Sequence, residues 1–203
     1  ICEPNTSCTG SQPRVKLPDR RASVSTAVAS VLESRGSLAM ESQVTWLYLV
    51  RHGATEANER IPYILQGNGI DLPLSPRGEQ QARAVAEFLP RFPIRRVYSS
   101  GMLRARQTAG AIARALQLEP QVAPDLHECN VGRWEGLDWE TIRQQFPDEH
   151  RQFHENPGTA PYLGGESYGD VLRRVKPIIA SLLVAHAGES IAVVAHNVVN
   201  RTI

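Results

Sequence analysis

Lysine is nearly missing from this 203-residue chain: only Lys16 and Lys176 stand among its 22 basic residues, and the rest are arginine. With 21 acidic residues the formal net charge is +1, so the charge balance points neither to a nucleic-acid partner nor to an acidic surface. Cysteine is scarce as well. Cys2, Cys8 and Cys129 are odd in number and contain no CxxC pair, which excludes a disulfide framework and a structural zinc site. A reducing, cytoplasmic compartment is therefore the default expectation. No apolar run approaches the roughly 20 residues that a membrane helix needs, so no membrane partner is expected. There is no GxxxxGK[ST] phosphate loop, and Gly67-Asn68-Gly69 reads as a turn. A cysteine phosphatase would need five residues between its Cys and its Arg; Cys129 and Arg133 enclose only three. What remains is 41% hydrophobic and 21% charged, ordinary for a globular chain with one substantial core, or one domain and a tail.

Residues 1–43 hold Ser, Thr, Pro and scattered Arg without a clear period and read as a disordered or dispensable tail. Their Ser/Arg-rich, acid-poor stretch at 14–35 leaves organelle targeting open. The domain is expected over 44–203. Residues 44–50 (VTWLYLV) suit a buried strand that ends in a turn bearing Arg51 and His52. Ser75 is placed to cap a helix over 77–89 with Pro76 in its first turn. A second strand at 95–99 leads into a helix opening at Ser100 or Gly101 and running to about 116. A short strand at 120–124, polar helices around 138–154, and a long helix over about 167–187 follow, with a kink or break expected at Pro177. Ser167 is expected to cap that helix, although Glu166-Ser167 could also rim a pocket. The last strand, 190–195, ends at His196, and the chain then closes on what reads as a loop. Alternating strands and helices imply an α/β domain, a three-layer α/β/α sandwich with a mostly parallel sheet.

Such sheets bind ligands beyond the carboxyl ends of their strands. His52, Arg104 and His196 each follow a different expected strand within about five residues, so one sheet edge would gather them. Arginine forks match phosphate oxygens and stay charged. An imidazole attacks only when neutral, and two neighbouring guanidinium groups should hold the His52 pKa below its free value of roughly 6.5.

At this point a family resemblance becomes specific. Arg51-His52-Gly53-Ala54-Thr55-Glu56-Ala57-Asn58 resembles the signature of the histidine phosphatase superfamily, which includes the phosphoglycerate mutases. The likeness continues through Gln66-Gly67, Asp71 to Ser75 with Gly78, Ser99-Ser100, and Arg104 to Thr108. It resumes at Leu126-His127-Glu128, Gly132 to Gly136, Gly165-Glu166-Ser167 and Ala195-His196-Asn197. The resemblance implies that His52 is phosphorylated and then hydrolysed, with Arg51, Arg104 and His196 holding the phosphoryl oxygens. It implies Glu128 as the proton donor to the leaving oxygen, and no metal or organic cofactor. Asn58, Gln66, Gly67 and Asn197 would complete the substrate pocket, though Asn58 could equally cap a turn. Family members usually carry a further helix and strand, so the domain is expected to be truncated at its C-terminus.

The implied activity is phosphoric monoester hydrolysis of a small phosphorylated metabolite, such as a sugar phosphate or phosphoglycerate. A mutase returning the phosphoryl group is the alternative, disfavoured because the Trp-Asn run that commonly follows the Arg-His-Gly motif of dedicated mutases is missing. A non-catalytic phospho-ligand binder is a third reading, opposed by the presence of both His52 and Glu128. A homodimer stays open. Trp134 and Trp139 are expected in the core or its rim, with a substrate wall as the alternative; His150 and His154, four apart, read as a solvated helix face.

Overall fold

A computed structural model describes residues 44–203; the tail expected at 1–43 and its targeting alternative lie outside the described residues. The chain runs β1 (Trp46–Arg51), α1 (Glu56–Glu59), α2 (Pro76–Phe88), β2 (Ile94–Ser99), α3 (Leu103–Leu116) and β3 (Pro120–Val122). It continues through α4 (Trp139–Gln145), α5 (Pro147–Glu155), α6 (Tyr168–Ala185), β4 (Ser190–Ala195) and α7 (Asn197–Thr202). All four strands are parallel, in the order β1-β4-β2-β3.

β4 is buried along its whole length because it lies between two strands and under helices on both faces. Its side chains alternate between the two sides, as the period of a strand requires. Ala192 and Val194 join Ile94 and Val97 beneath α2 and α3, with Ala105, Ala109 and Ile112 opposite. Val193 and Ala195 join Tyr98 on the other face, against Val171, Val175 and Ile179 of α6 and Val198 and Val199 of α7. The sandwich therefore has three layers. Among the described residues no helix is long and apolar enough to cross a membrane.

Helix α2 begins where the sequence places it: Ser75 Oγ accepts the Gly78 N–H at 3.0 Å, and Pro76 occupies the first turn. Ser167 likewise caps α6 in a reciprocal box with Asp170. Three expectations need correction. Helix α3 starts at Leu103, not at Ser100 or Gly101, because Ser100 Oγ accepts the Met102 N–H while the distant Asp71 carboxylate accepts the Leu103 N–H at 2.8 Å. Of the kink or break expected at Pro177, helix α6 shows no break. Pro177 and Arg173, whose carbonyl loses its helical donor there, are both exposed, so water can satisfy the freed group. Residues 197–202 form a helix and not a loop.

Candidate active site

The strand ladder itself assembles the site. Beyond the end of β1, the His52 N–H donates to the Ala195 carbonyl at 3.1 Å; beyond β2, the Ser100 N–H donates to Val194 at 2.9 Å. His52, His196 and Ser100 therefore stand side by side across the carboxyl edge of the sheet. The turn after His52 lies flush against the start of α2. A Cβ on Gly53 would collide with the Gly78 carbonyl, and one on Gly78 with the Ala54 carbonyl. The Gly53 N–H also donates to Thr108 Oγ1 at 3.1 Å, tying the turn to α3.

The His52 ring is only 8% exposed. Its Nδ1 sits 2.7 Å from the Gly53 carbonyl, so Nδ1 carries the proton and Nε2 keeps its lone pair. Arg104 Nε donates to that Nε2 at 3.3 Å. Burial, then Arg104, and least Arg51 push the His52 pKa down to about 3, against the Gly53 hydrogen bond that raises it. The direction is the one the sequence implies, but burial is a larger cause than the guanidinium charges.

Arg104 is 1% exposed. Its Nη1 donates to Ile70 O at 3.0 Å and its Nη2 to Gly67 O at 2.9 Å. Those contacts and the one to His52 use three of its five N–H groups, leaving two for a ligand, although Nη1 also pairs with the Asp71 carboxylate at 3.6 Å. Burial pulls its pKa down while Glu128, Asp71 and Glu135 act the other way, and a guanidinium stays charged throughout. The Gly67–Ile70 turn is fixed in turn by Glu135, whose carboxylate accepts the Gly69 and Ile70 N–H groups. Arg51 is exposed on the cavity wall and makes no ion pair or hydrogen bond with its side chain among the described residues.

Glu128 is half-buried on the same wall and accepts three backbone N–H groups: Cys129 at 2.9 Å, Asn197 at 3.0 Å and Val198 at 3.3 Å. Burial raises its pKa, and the backbone donors and Arg104 oppose the rise. The loop carrying it is clamped by Arg174 of α6, which donates to the Asp125 and Glu128 carbonyls and pairs with Glu166 at 2.8 Å. Glu166 also accepts the Asn130 N–H at 2.8 Å, so Glu166 supports the loop.

Asn58 lines the cavity and also closes the first turn of α1, its Oδ1 accepting the Thr55 N–H at 3.1 Å. The turn-capping reading of Asn58 is thus seen in the structure, and its amide nitrogen has no hydrogen-bond partner among the described residues. Gln66 lines the cavity too, but both ends of its amide are held, by Thr55 Oγ1 at 2.7 Å and Ile70 O at 3.3 Å. Asn197 is exposed on the rim.

The His196 ring centroid is 5.1 Å from that of His52, and the residue is wholly buried beside it. Nε2 is 2.8 Å from Ser100 Oγ, and the buried Nδ1 has no partner among the described residues. Burial, then Arg104 and His52, hold its pKa well below the usual imidazole range.

The cavity measures about 610 Å³, much more than a phosphate fills. Its outer part is walled by Tyr63, Trp139, Phe153, His154, Tyr162 and Tyr168. Trp134, by contrast, is fully buried behind Trp139 in the core. Apart from Trp139 the sequence reading missed this wall. Its signal was density: six of the twelve aromatic residues fall between Trp134 and Tyr168. His150 and His154 stack at 4.1 Å, and among the described residues no third metal-ligating group joins them.

The model of the histidine phosphatase superfamily (branch 1) matches residues 47–203. The chain is 39% identical over 153 residues to the bifunctional protein Rv2228c of Mycobacterium tuberculosis, covering 75% of this chain but only 41% of that protein. It thus spans about two fifths of that protein's length. It is 35% identical over 152 residues to phosphoserine phosphatase 1 of Hydrogenobacter thermophilus, covering 75% of this chain and 71% of that one. The fold superposes on mycobacterial glucosyl-3-phosphoglycerate phosphatase Rv2419c, solved with VO3, with a TM-score of 0.70 at 31% identity and coverage of 77% of each chain. With the matched residues spanning every strand and the whole cavity floor, this chain belongs to the histidine phosphatase superfamily.

Proposed function

We propose that the chain hydrolyses the phosphate monoester of a small metabolite through a phosphohistidine on His52. The observation that carries this reading is the state of His52: buried, neutral, its Nδ1 proton held by the Gly53 carbonyl, its Nε2 lone pair facing Arg104. A neutral imidazole with a fixed tautomer is a nucleophile, and its Nε2 lone pair is freed to attack phosphorus when the Arg104 Nε–H turns to a phosphoryl oxygen instead. Nε2 forms the N–P bond as the P–O bond to the alcohol breaks. The two free N–H groups of Arg104 and the unpaired Arg51 take the charge on the phosphoryl oxygens. Asn58 adds an amide donor. His196, buried with an unpaired Nδ1 beside His52, would regain a hydrogen bond from the same group.

Glu128 is the proton donor in this scheme, and its raised pKa supports that role. It gives a proton to the departing alkoxide, and as carboxylate it then accepts one from the water that attacks phosphorus and frees His52. The relatives named phosphoserine phosphatase and glucosyl-3-phosphoglycerate phosphatase support hydrolysis as the net reaction.

The test is mass analysis of the protein quenched at neutral pH during turnover of a phosphate monoester. A phosphoryl increment on the peptide carrying His52, lost in His52→Ala, is expected. Turnover with no such increment would remove His52 as the nucleophile. Phosphoryl return to substrate with no free phosphate would make the chain a mutase.

A further inference from the structure

The outer half of the cavity differs chemically from its floor. Trp139 stacks on Phe153 with centroids 5.9 Å apart and planes 24° apart, and Phe153 meets Tyr162 at 4.3 Å. Behind them Trp134 sits edge-on to Trp139, Phe153 and Tyr162 at 6.1, 5.6 and 5.7 Å. Phe153 and Tyr162 are almost fully buried. The wall is thus set before any ligand arrives, and a flat group can lie against it without reordering side chains.

Several of the polar atoms around this wall already have partners. Tyr63 Oη accepts the Trp139 Nε1–H at 2.9 Å, and His154 Nδ1 lies 2.9 Å from the His150 carbonyl. Both ends of the Gln66 amide are bonded, and the Glu128 carboxylate takes three N–H groups. The Arg201 guanidinium rests over the Tyr168 ring at 5.7 Å. Aromatic faces alone suit an aryl group or the apolar face of a sugar. A sugar, however, also needs free polar groups in the plane of its ring, since each hydroxyl leaves water on entering. An amino-acid ester would bring an ammonium group, and Glu128 is the one carboxylate on the cavity wall among the described residues.

We infer that the substrate is the phosphate ester of an alcohol with an aryl or similarly flat apolar body, which lies against Trp139, Phe153 and Tyr162. This inference rests on the phosphatase reading above and departs from the sugar phosphates and phosphoglycerates that the sequence resemblance suggests.

Benzyl phosphate and glucose 6-phosphate are both esters of primary alcohols, so they pose the proton donor a similar task and differ chiefly in the body presented to the wall. The expected kcat/KM favours benzyl phosphate by about tenfold or more. Trp139→Ala should remove most of that preference, lowering kcat/KM for benzyl phosphate far more than for glucose 6-phosphate, and Trp139→Phe, which keeps a ring, should restore much of it. Equal wild-type rates, or equal losses for both esters in Trp139→Ala, overturn the inference. Calorimetric affinities of both esters for His52→Ala separate it from the reading beneath it. Preferential binding of benzyl phosphate without turnover in the wild type upholds the wall and sinks the phosphatase. Equal affinity sinks the wall even where both esters are hydrolysed.

Discussion

The floor of the cavity and its outer wall are built by opposite means. On the floor, backbone positions fixed by the parallel ladder deliver a few polar side chains, each held by named hydrogen bonds: His52 by Gly53, Arg104 by Gly67 and Ile70, Glu128 by three N–H groups. On the wall, side chains from the 61–65 loop, α4, α5 and the 157–168 segment meet through ring contacts. Directional bonds fix a transition state, whereas ring packing selects a shape. The floor should therefore govern kcat and the wall KM.

The strongest test of that division is at the nucleophile. His52→Ala should lower turnover by at least about 10³-fold while phosphate still binds weakly, as removal of nucleophiles elsewhere costs that or more. Residual turnover near the wild-type level would leave the floor without its central group. Next is Arg104→Lys, which keeps a charge and loses the fork. It should cost kcat/KM about 3–4 kcal/mol, the scale of a lost charge-stabilising donor, with KM changed far less than kcat. Unchanged turnover would exclude Arg104 from the pocket.

Glu128→Gln should separate chemistry from scaffolding. The variant loses the proton donor, so esters of alkyl alcohols should slow by about 10²-fold while nitrophenyl phosphate, with a good leaving group, changes little. It also disturbs the cap on α7, where the second oxygen meets the Asn197 N–H. The diagnostic quantity is therefore the ratio between leaving groups. An equal loss for both would reduce Glu128 to a helix cap.

Burial of neutral His52 also makes the floor sensitive to acid. Below the unfolded pKa of about 6.5 the unfolded chain binds a proton that the folded one refuses until about pH 3, so this contribution to stability is present above 6.5 and is lost as pH falls. Linkage puts the loss at about 2 kcal/mol between pH 7.5 and 5. His196, also depressed, adds in the same sense, and Glu128, raised, opposes it. Chemical denaturation of wild type and His52→Asn across that range isolates the His52 share; parallel curves would mean that the ring is solvated.

The same division explains what the sequence made legible. β1, β2 and β4 announce themselves as short apolar, β-branched runs, and α2 carries its own start signal in Ser75-Pro76. His52 was legible because it directly follows β1, whereas Arg104 on α3 and Glu128 on the loop after β3 were legible only through the family motif. The misplaced boundaries share one cause: their caps are distant in sequence. Asp71 caps α3 from 32 residues away, and Glu128 caps α7 from 69 and 70 residues away. No local pattern encodes such a partner. The full burial of His196 is not written locally either, since its Nε2 meets Ser100 Oγ, 96 residues away in sequence. The wall was hardest, because aromatic identity does not say which face of a loop a ring takes, and its rings come from four separate segments.

The smallest effect should come from the wall's own polar contact. Tyr63 is half exposed and its hydroxyl accepts from Trp139 Nε1, so Tyr63→Phe removes one partly solvated hydrogen bond and leaves the indole N–H to water. The stability loss should stay under about 1 kcal/mol by thermal denaturation, the usual scale for such a bond. If ring packing alone positions Trp139, with Trp134 and Phe153 behind it, KM should rise no more than about threefold and kcat should not move. A tenfold fall in kcat would mean that the Tyr63 hydroxyl reaches the reacting atoms. The boundary between floor and wall would then lie beyond the 61–65 loop.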